Sequence, residues 1–417
     1  MTVPPGSSEA ARSAPLAPPA VPRNERAGWH RRVAWLPLAY LSAIVVVGII
    51  HPFLSDWYWL LIHLLLLGAA TNAILVWSTH FAGAVLRVPA PAHRRGEAAR
   101  LVALNLGIGC VLSGGAAGPG WLGAAGAVAV FAAVLAHLVI LATRLRRALP
   151  ARFAVTVRYY LAAAVALLLG IPVGAWLLLV DDELRPRLVL VHAHLNVLGW
   201  ISLTVLGTLL TLWPTVLRTR MAEGTVRAAT RALPLAMSGL ALLGVGLLTA
   251  KPVAAVPGLV AFAAAVVVIA VPAVAVARAR PPASFAAWSI AAGIGWLLIA
   301  LARDAATLLT AADPAAALDG FHAVLLPLLA GFVAQILIGA LAYLLPVALG
   351  GGPGPVRERT AALDRHWAQR VVTGNVALAV FLLPVGPYVR ITTSLLVLAA
   401  LVQFLVPAVR VLLARRR

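Results

Sequence analysis

The segment VHAHLNVLGWISLTVLGTLLTLWPTVLR, Val191–Arg218, decides the fold class. It is almost wholly apolar and exceeds the about 20 residues that an α-helix needs to cross the hydrocarbon core of a bilayer. It nevertheless begins with His192 and His194, although ionisable side chains inside a membrane are costly and tend to be functional. The segment therefore predicts a transmembrane helix whose histidines have a role.

The composition of the whole chain agrees with this prediction. Of its 417 residues, 62% are hydrophobic and 11% are charged, and the mean hydropathy is +0.97, outside the range of soluble domains. The net charge of +20 does not indicate a nucleic-acid partner, because the arginines are dispersed between apolar spans. We predict an all-α polytopic membrane protein whose main partner is the lipid bilayer. The preference for arginine over lysine, with Lys251 the only lysine, is typical of a high-GC bacterial genome.

Apolar runs divide the chain into about twelve predicted spans. Residues 1–33 are rich in Pro, Ala and Ser and are expected to form a disordered cytoplasmic tail, followed by one transmembrane domain over 34–417. The expected spans are 34–50, 57–79, 101–118, 121–143, 155–180, 188–213, 231–250, 254–277, 284–303, 320–347, 368–386 and 391–412.

The basic residues predict the orientation of these spans. Cytoplasmic loops carry an excess of Lys and Arg, because basic residues resist translocation. With the N-terminus inside, nearly all basic residues fall on the cytoplasmic side, and the exceptions are Arg185, Arg187, Lys251, Arg303 and Arg390. We therefore expect a bacterial plasma-membrane protein with both termini in the cytoplasm.

An internal repeat relates three of the spans. HLLLLGAATNAILVWSTHFAGAVLR, from His63, aligns without gaps on HLNVLGWISLTVLGTLLTLWPTVLR, from His194. A weaker third copy, HAVLLPLLAGFVAQILIGALAYLLP, begins at His322 and has Pro327 in place of the glycine of the other two. The copies are the second, sixth and tenth spans. The pattern predicts three pseudo-repeated four-helix units, over about 34–150, 151–280 and 281–417.

Five histidines lie in the outer half of the membrane on this topology: His51, His63, His192, His194 and His322. Neutral imidazole is a common ligand of haem iron and of copper. The alternative is that each histidine contacts a neighbouring helix or the headgroup region. The single cysteine, Cys110, excludes a site built from several thiolates within the chain.

The spacing of His192 and His194 separates their directions. On a helix, side chains two residues apart point about 200° apart, so the two rings are not expected to bind one ion. His194 carries the repeat and is the expected interior ligand. His192 is expected to face a neighbouring helix, the outer interface or a second site. Asp304 is expected to form a local ion pair with Arg303.

Twelve spans in three four-helix units, with His63, His194 and His322 on spans two, six and ten, resemble subunit I of the haem-copper oxidases. The His-x-His before a small-residue helix also resembles the NnrS family of twelve-span haem- and copper-containing proteins linked to nitric oxide metabolism. These resemblances imply His63, His194, His322 and His192 as cofactor ligands and His51 and His192 as candidate copper ligands. Span seven lacks the His pair of true oxidases, so a proton-pumping oxygen reductase is not expected.

The resemblance implies a haem-binding membrane protein, with copper as a second candidate cofactor, in redox chemistry related to nitric oxide or oxygen. Whether it is an oxidoreductase stays open, and no catalytic residue is assigned. Two alternatives remain: a secondary transporter, and a non-catalytic membrane module for a separate copper redox partner protein. The threefold repeat favours the first interpretation, because twelve-span carriers are usually built from two six-span repeats.

Overall fold

A computed structural model describes residues 23–88, 94–116, 118–180 and 183–414. Within these ranges the backbone forms helices and no strand, which confirms the all-α class. The long helices are α1 (Ala27–Phe53), α2 (Trp57–Leu86), α3 (Arg95–Ala116), α4 (Gly120–Arg147), α5 (Ala154–Trp176), α6 (Arg185–Val216), α7 (Thr225–Leu248), α8 (Pro252–Ala279), α9 (Phe285–Thr310), α10 (Pro314–Leu349), α11 (Trp367–Phe381) and α12 (Pro387–Leu413).

Eleven of these helices, all except α11, are long and apolar enough to cross a membrane. Helix α11 has 15 residues, follows the short helix Pro353–Asp364 and packs against α12. The chain is thus a polytopic helical protein that occupies a lipid bilayer.

The first span begins earlier than the sequence predicts. Residues 1–22 of the expected tail lie outside the described part of the chain, but residues 23–33 form the helix Arg23–Val33, whose last seven residues are the first residues of α1. Trp29 and Val33 are buried, and the Arg94 guanidinium lies over the Trp29 ring at 5.2 Å. Hydropathy missed this segment because its buried apolar residues alternate with arginines.

Helices α2, α6 and α10 meet at the centre of the bundle, and each contains one π-helical segment. The segments are Leu64–Ala70, Leu195–Ser202 and Pro327–Ala334. The first of them contacts the other two. A π-helical segment widens the helical turn and frequently occurs at functional sites. Its recurrence in three helices is a structural counterpart of the sequence repeat.

One glycine in each π segment allows close contact with the preceding helix. A Cβ on Gly68 would overlap the Tyr40 ring, and one on Gly331 would overlap the Trp296 ring. A Cβ on Gly199 would overlap Ala166 in the same way. The structure therefore equates Gly331, not Pro327, with the repeat glycine. His322 then lies one turn further from its repeat glycine than His63 and His194 lie from Gly68 and Gly199.

Amide side chains link helices in the first and third units. Asn72 and Asn105 exchange hydrogen bonds of 3.2 and 2.8 Å, and the Tyr40 hydroxyl donates to Asn105. Gln335 and Asn375 form the equivalent pair in the third unit, and Trp296 donates to Asn375. Asn72 and Gln335 thus form the interhelical hydrogen bonds that polar residues in apolar spans are expected to make.

The hairpin of α7 and α8 is held by small residues at the helix contact, which predicts opposite effects for two neighbouring glycines. In Gly246→Ala the new methyl group would meet the backbone of Ala255, so we expect a loss of about 1–3 kcal/mol of stability. Gly244, on the same helix, has nothing within 4 Å of the position that a methyl group would take, so Gly244→Ala should be neutral or stabilising by up to about 1 kcal/mol. Thermal unfolding in detergent measures both, and equal shifts would contradict the proposed helix contact.

Candidate metal site

His63 of α2 and His192 of α6 lie next to each other in the bundle. Their ring centroids are 6.5 Å apart and the ring planes differ by 24°. Both side chains are half-buried. The two residues come from equivalent helices of neighbouring units, so the site exists only because the units pack together.

Hydrogen bonds to backbone carbonyls orient both rings. Nδ1 of His63 lies 2.9 Å from the carbonyl oxygen of Trp59, and Nδ1 of His192 lies 2.9 Å from that of Gly170. A carbonyl oxygen only accepts, so Nδ1 carries the proton in both rings. Nε2 of each neutral ring is then the nitrogen with a free lone pair, the state in which imidazole binds a metal.

Neighbouring residues fix the positions of the two rings. The Trp59 ring stacks on His63 with centroids 4.0 Å apart and planes at 28°. A Cβ on Gly174 would come within 2.5 Å of Cε1 of His192, so only glycine leaves room for the imidazole there. Asn196 donates to the backbone carbonyl of His192 at 2.7 Å. Helix α5 therefore supports His192 through Gly170 and Gly174, one turn apart on one face.

His194 has a different environment. Its Nε2 lies 2.7 Å from Oδ2 of Asp304 on α9, and its Nδ1 lies 2.7 Å from the Leu190 carbonyl. Both side chains are buried, at 3% and 2% exposure. The expected ion pair between Asp304 and Arg303 is therefore wrong, because Asp304 points into the bundle. Since both ring nitrogens of His194 are engaged, this ring offers no free lone pair to a metal.

The two remaining candidate ligands, His51 and His322, lie apart from His63 and His192. His51 is exposed, donates from Nδ1 to the Gly48 carbonyl at 2.9 Å, and lies against Trp57. His322 has an exposed side chain at 53% and lies 3.9 Å from the exposed Asp319. The structure thus brings together His63 and His192, and it does not bring His51, His194 or His322 into a common ligand set with them.

The residues present fit a metal that takes two imidazoles from the protein. A metal bound by both Nε2 atoms at about 2.0 Å would need imidazole centroids within about 6 Å of each other, and the observed separation of 6.5 Å is close to that limit. Within the described ranges no cluster of three or more His, Cys, Asp or Glu side chains forms a metal site. Any further ligands would therefore come from the cofactor or from a substrate.

Sequence reasoning named both histidines but missed the residues that set their chemistry. Trp59 lies four residues before His63, a spacing that places the two rings on one helix face. The contact between these rings could therefore have been predicted from the sequence. Gly170 and Gly174 were not recognisable, because their role depends on how α5 packs on α6. As helix geometry predicts, His192 and His194 contact different helices.

A comparison with models of protein families finds no match for this chain, and neither does a comparison with curated proteins. The fold defines the class of a polytopic helical membrane protein. Its function has to be inferred from the residues of the site.

Proposed function

We propose that the protein is a membrane metalloprotein in which His63 and His192 hold a redox metal, either haem iron or copper. The observation that carries the proposal is the 6.5 Å approach of two imidazoles whose Nδ1 atoms are both bound to carbonyl oxygens. Haem iron and copper are the redox metals that commonly take neutral imidazole. When bound, such a metal supplies one-electron chemistry, and the chain supplies two oriented ligands.

An apolar cavity supports the proposal that the reactant is a small apolar molecule such as nitric oxide or dioxygen. The cavity has a volume of about 90 Å³ and lies between α2, α6 and α10, beside Ala73, Ile201 and Val333. Small cavities with such linings stay dry and accept apolar molecules. Because the lining is almost wholly apolar, the cavity fits a diatomic gas better than a polar solute.

The test is a metal analysis and an optical spectrum of the full-length protein, expressed with iron, haem precursor and copper supplied. We expect about one iron or copper per chain, since His63 and His192 form one site and each would supply one neutral imidazole. A Soret band that shifts on reduction assigns haem, and copper without a Soret band assigns copper. A folded protein with neither metal contradicts the proposal and leaves a carrier or a non-catalytic module as the better interpretation.

A further inference from the structure

A second polar site lies at the opposite end of α2 from His63, among the ends of α1, α3 and α4. It is a cavity of about 410 Å³, and its polar lining includes His30, Thr79, Arg94, Glu97, Arg100 and Arg144. We propose that this cavity binds an oxyanion of the phosphate class, either free or as the headgroup of an anionic lipid. The proposal is independent of the metal site.

The cavity has more positive than negative charge. Glu97 is shared between two guanidinium groups, lying 2.8 Å from Nη1 of Arg94 and 3.6 Å from Nη2 of Arg144. Arg100 forms no salt bridge within the described part of the chain, so three arginines face one carboxylate. An apolar surrounding makes such an excess charge costly unless an anion neutralises it.

Two residues of the same lining, Arg100 and His30, carry buried nitrogen atoms without a hydrogen-bond partner. Arg100 is only 6% exposed, and its Nη2 donates to Thr79 Oγ1 at 3.3 Å. Its Nε and Nη1 are buried without a hydrogen-bond partner. Nδ1 of His30, also 6% exposed, is buried and unpartnered too. Buried polar groups are normally satisfied, so these atoms indicate a missing acceptor.

The chemistry of the lining identifies the class of ligand. A guanidinium group only donates, and it binds carboxylate or phosphate oxygens through several nitrogens at once. A metal cation is disfavoured, although the His30 and His80 rings lie 5.1 Å apart, because the three arginines would repel it. The cavity is larger than a bare phosphate, so a phosphate with an attached group also fits.

The test uses the full-length protein, delipidated in a neutral detergent, and follows its thermal unfolding midpoint. One arm adds inorganic phosphate against chloride at equal ionic strength, and the other adds phosphatidate against phosphatidylcholine in mixed micelles. Stabilisation by inorganic phosphate identifies a free oxyanion site. Stabilisation by phosphatidate alone identifies a lipid headgroup site. No stabilisation by either probe overturns the proposal.

Two variants show whether the effect arises in this cavity. Arg100→Gln should weaken the apparent affinity for the effective probe at least tenfold, and Arg147→Gln, an exposed arginine on α4, should leave it unchanged. Equal responses of the two variants would mean non-specific binding and would also overturn the proposal. If Arg100→Gln does not fold, Arg144→Gln takes its place, with the same expected loss.

Discussion

Asp304→Ala is expected to destabilise the protein by about 3–5 kcal/mol, because it leaves His194 buried without its partner. The two side chains are almost fully buried and 2.7 Å apart. With Nδ1 of His194 bound to the Leu190 carbonyl, one proton lies between Nε2 and the carboxylate. Removing either side chain deletes this bond and leaves the other group unsatisfied.

A double-mutant cycle measures the interaction between His194 and Asp304 separately from the contacts that each side chain makes with other residues. His194→Leu combined with Asp304→Leu should be much less destabilised than the sum of the single variants, because apolar residues often replace a buried ion pair at little cost. Asp319→Ala removes a carboxylate that is 94% exposed and should change stability by less than about 0.5 kcal/mol. Additive single effects would show that the two side chains do not interact.

Much of the fold could be predicted from the sequence, because membrane-length apolar runs and arginine-rich loops each have a direct physical cause. The expected spans 101–118 and 121–143 correspond to α3 and α4, which end at Ala116 and begin at Gly120, although residue 117 lies outside the described ranges. The start of α1 could not be predicted from hydropathy, because Trp29 and Val33 are buried among arginines.

The candidate site could be predicted only in part. The repeat selected His63 and the spacing showed that His192 and His194 diverge, but spacing alone did not show which of them meets His63. That choice depends on long-range packing, since α5 supports His192 and α9 carries Asp304 to His194. The alignment of His322 with His63 and His194 was wrong, because the glycine that contacts the preceding helix in the third copy is Gly331 and not the residue at position 327.

Loss of either imidazole of the pair is expected to have the largest effect on metal binding. His63→Ala and His192→Ala should each lower the bound metal at least about tenfold, because losing even a residue that only orients a ligand costs about 10–100-fold in affinity. His194→Ala and His322→Ala should keep the metal, since His194 is bound to Asp304 and His322 is exposed. Metal per folded chain is measured after size-exclusion chromatography.

The pattern across the four variants distinguishes this site from the one expected from the repeat. Loss in His194→Ala with retention in His192→Ala would restore His194 as the ligand and contradict the assignment to His192. Equal metal content in all four variants would mean that none of these histidines is a ligand. His194→Ala is also expected to lose stability, so its metal content is compared at a temperature where every variant is folded.

Rescue by free imidazole tests the central claim most directly. His192→Gly removes the ring and leaves space beside Gly174, where an imidazole molecule from solution fits. If the His192 ring is a ligand, added imidazole should restore the bound metal and its spectrum in His192→Gly and should not change the metal content of His322→Ala. If His192→Gly binds as much metal as the wild-type protein without imidazole, His63 and His192 do not hold the metal.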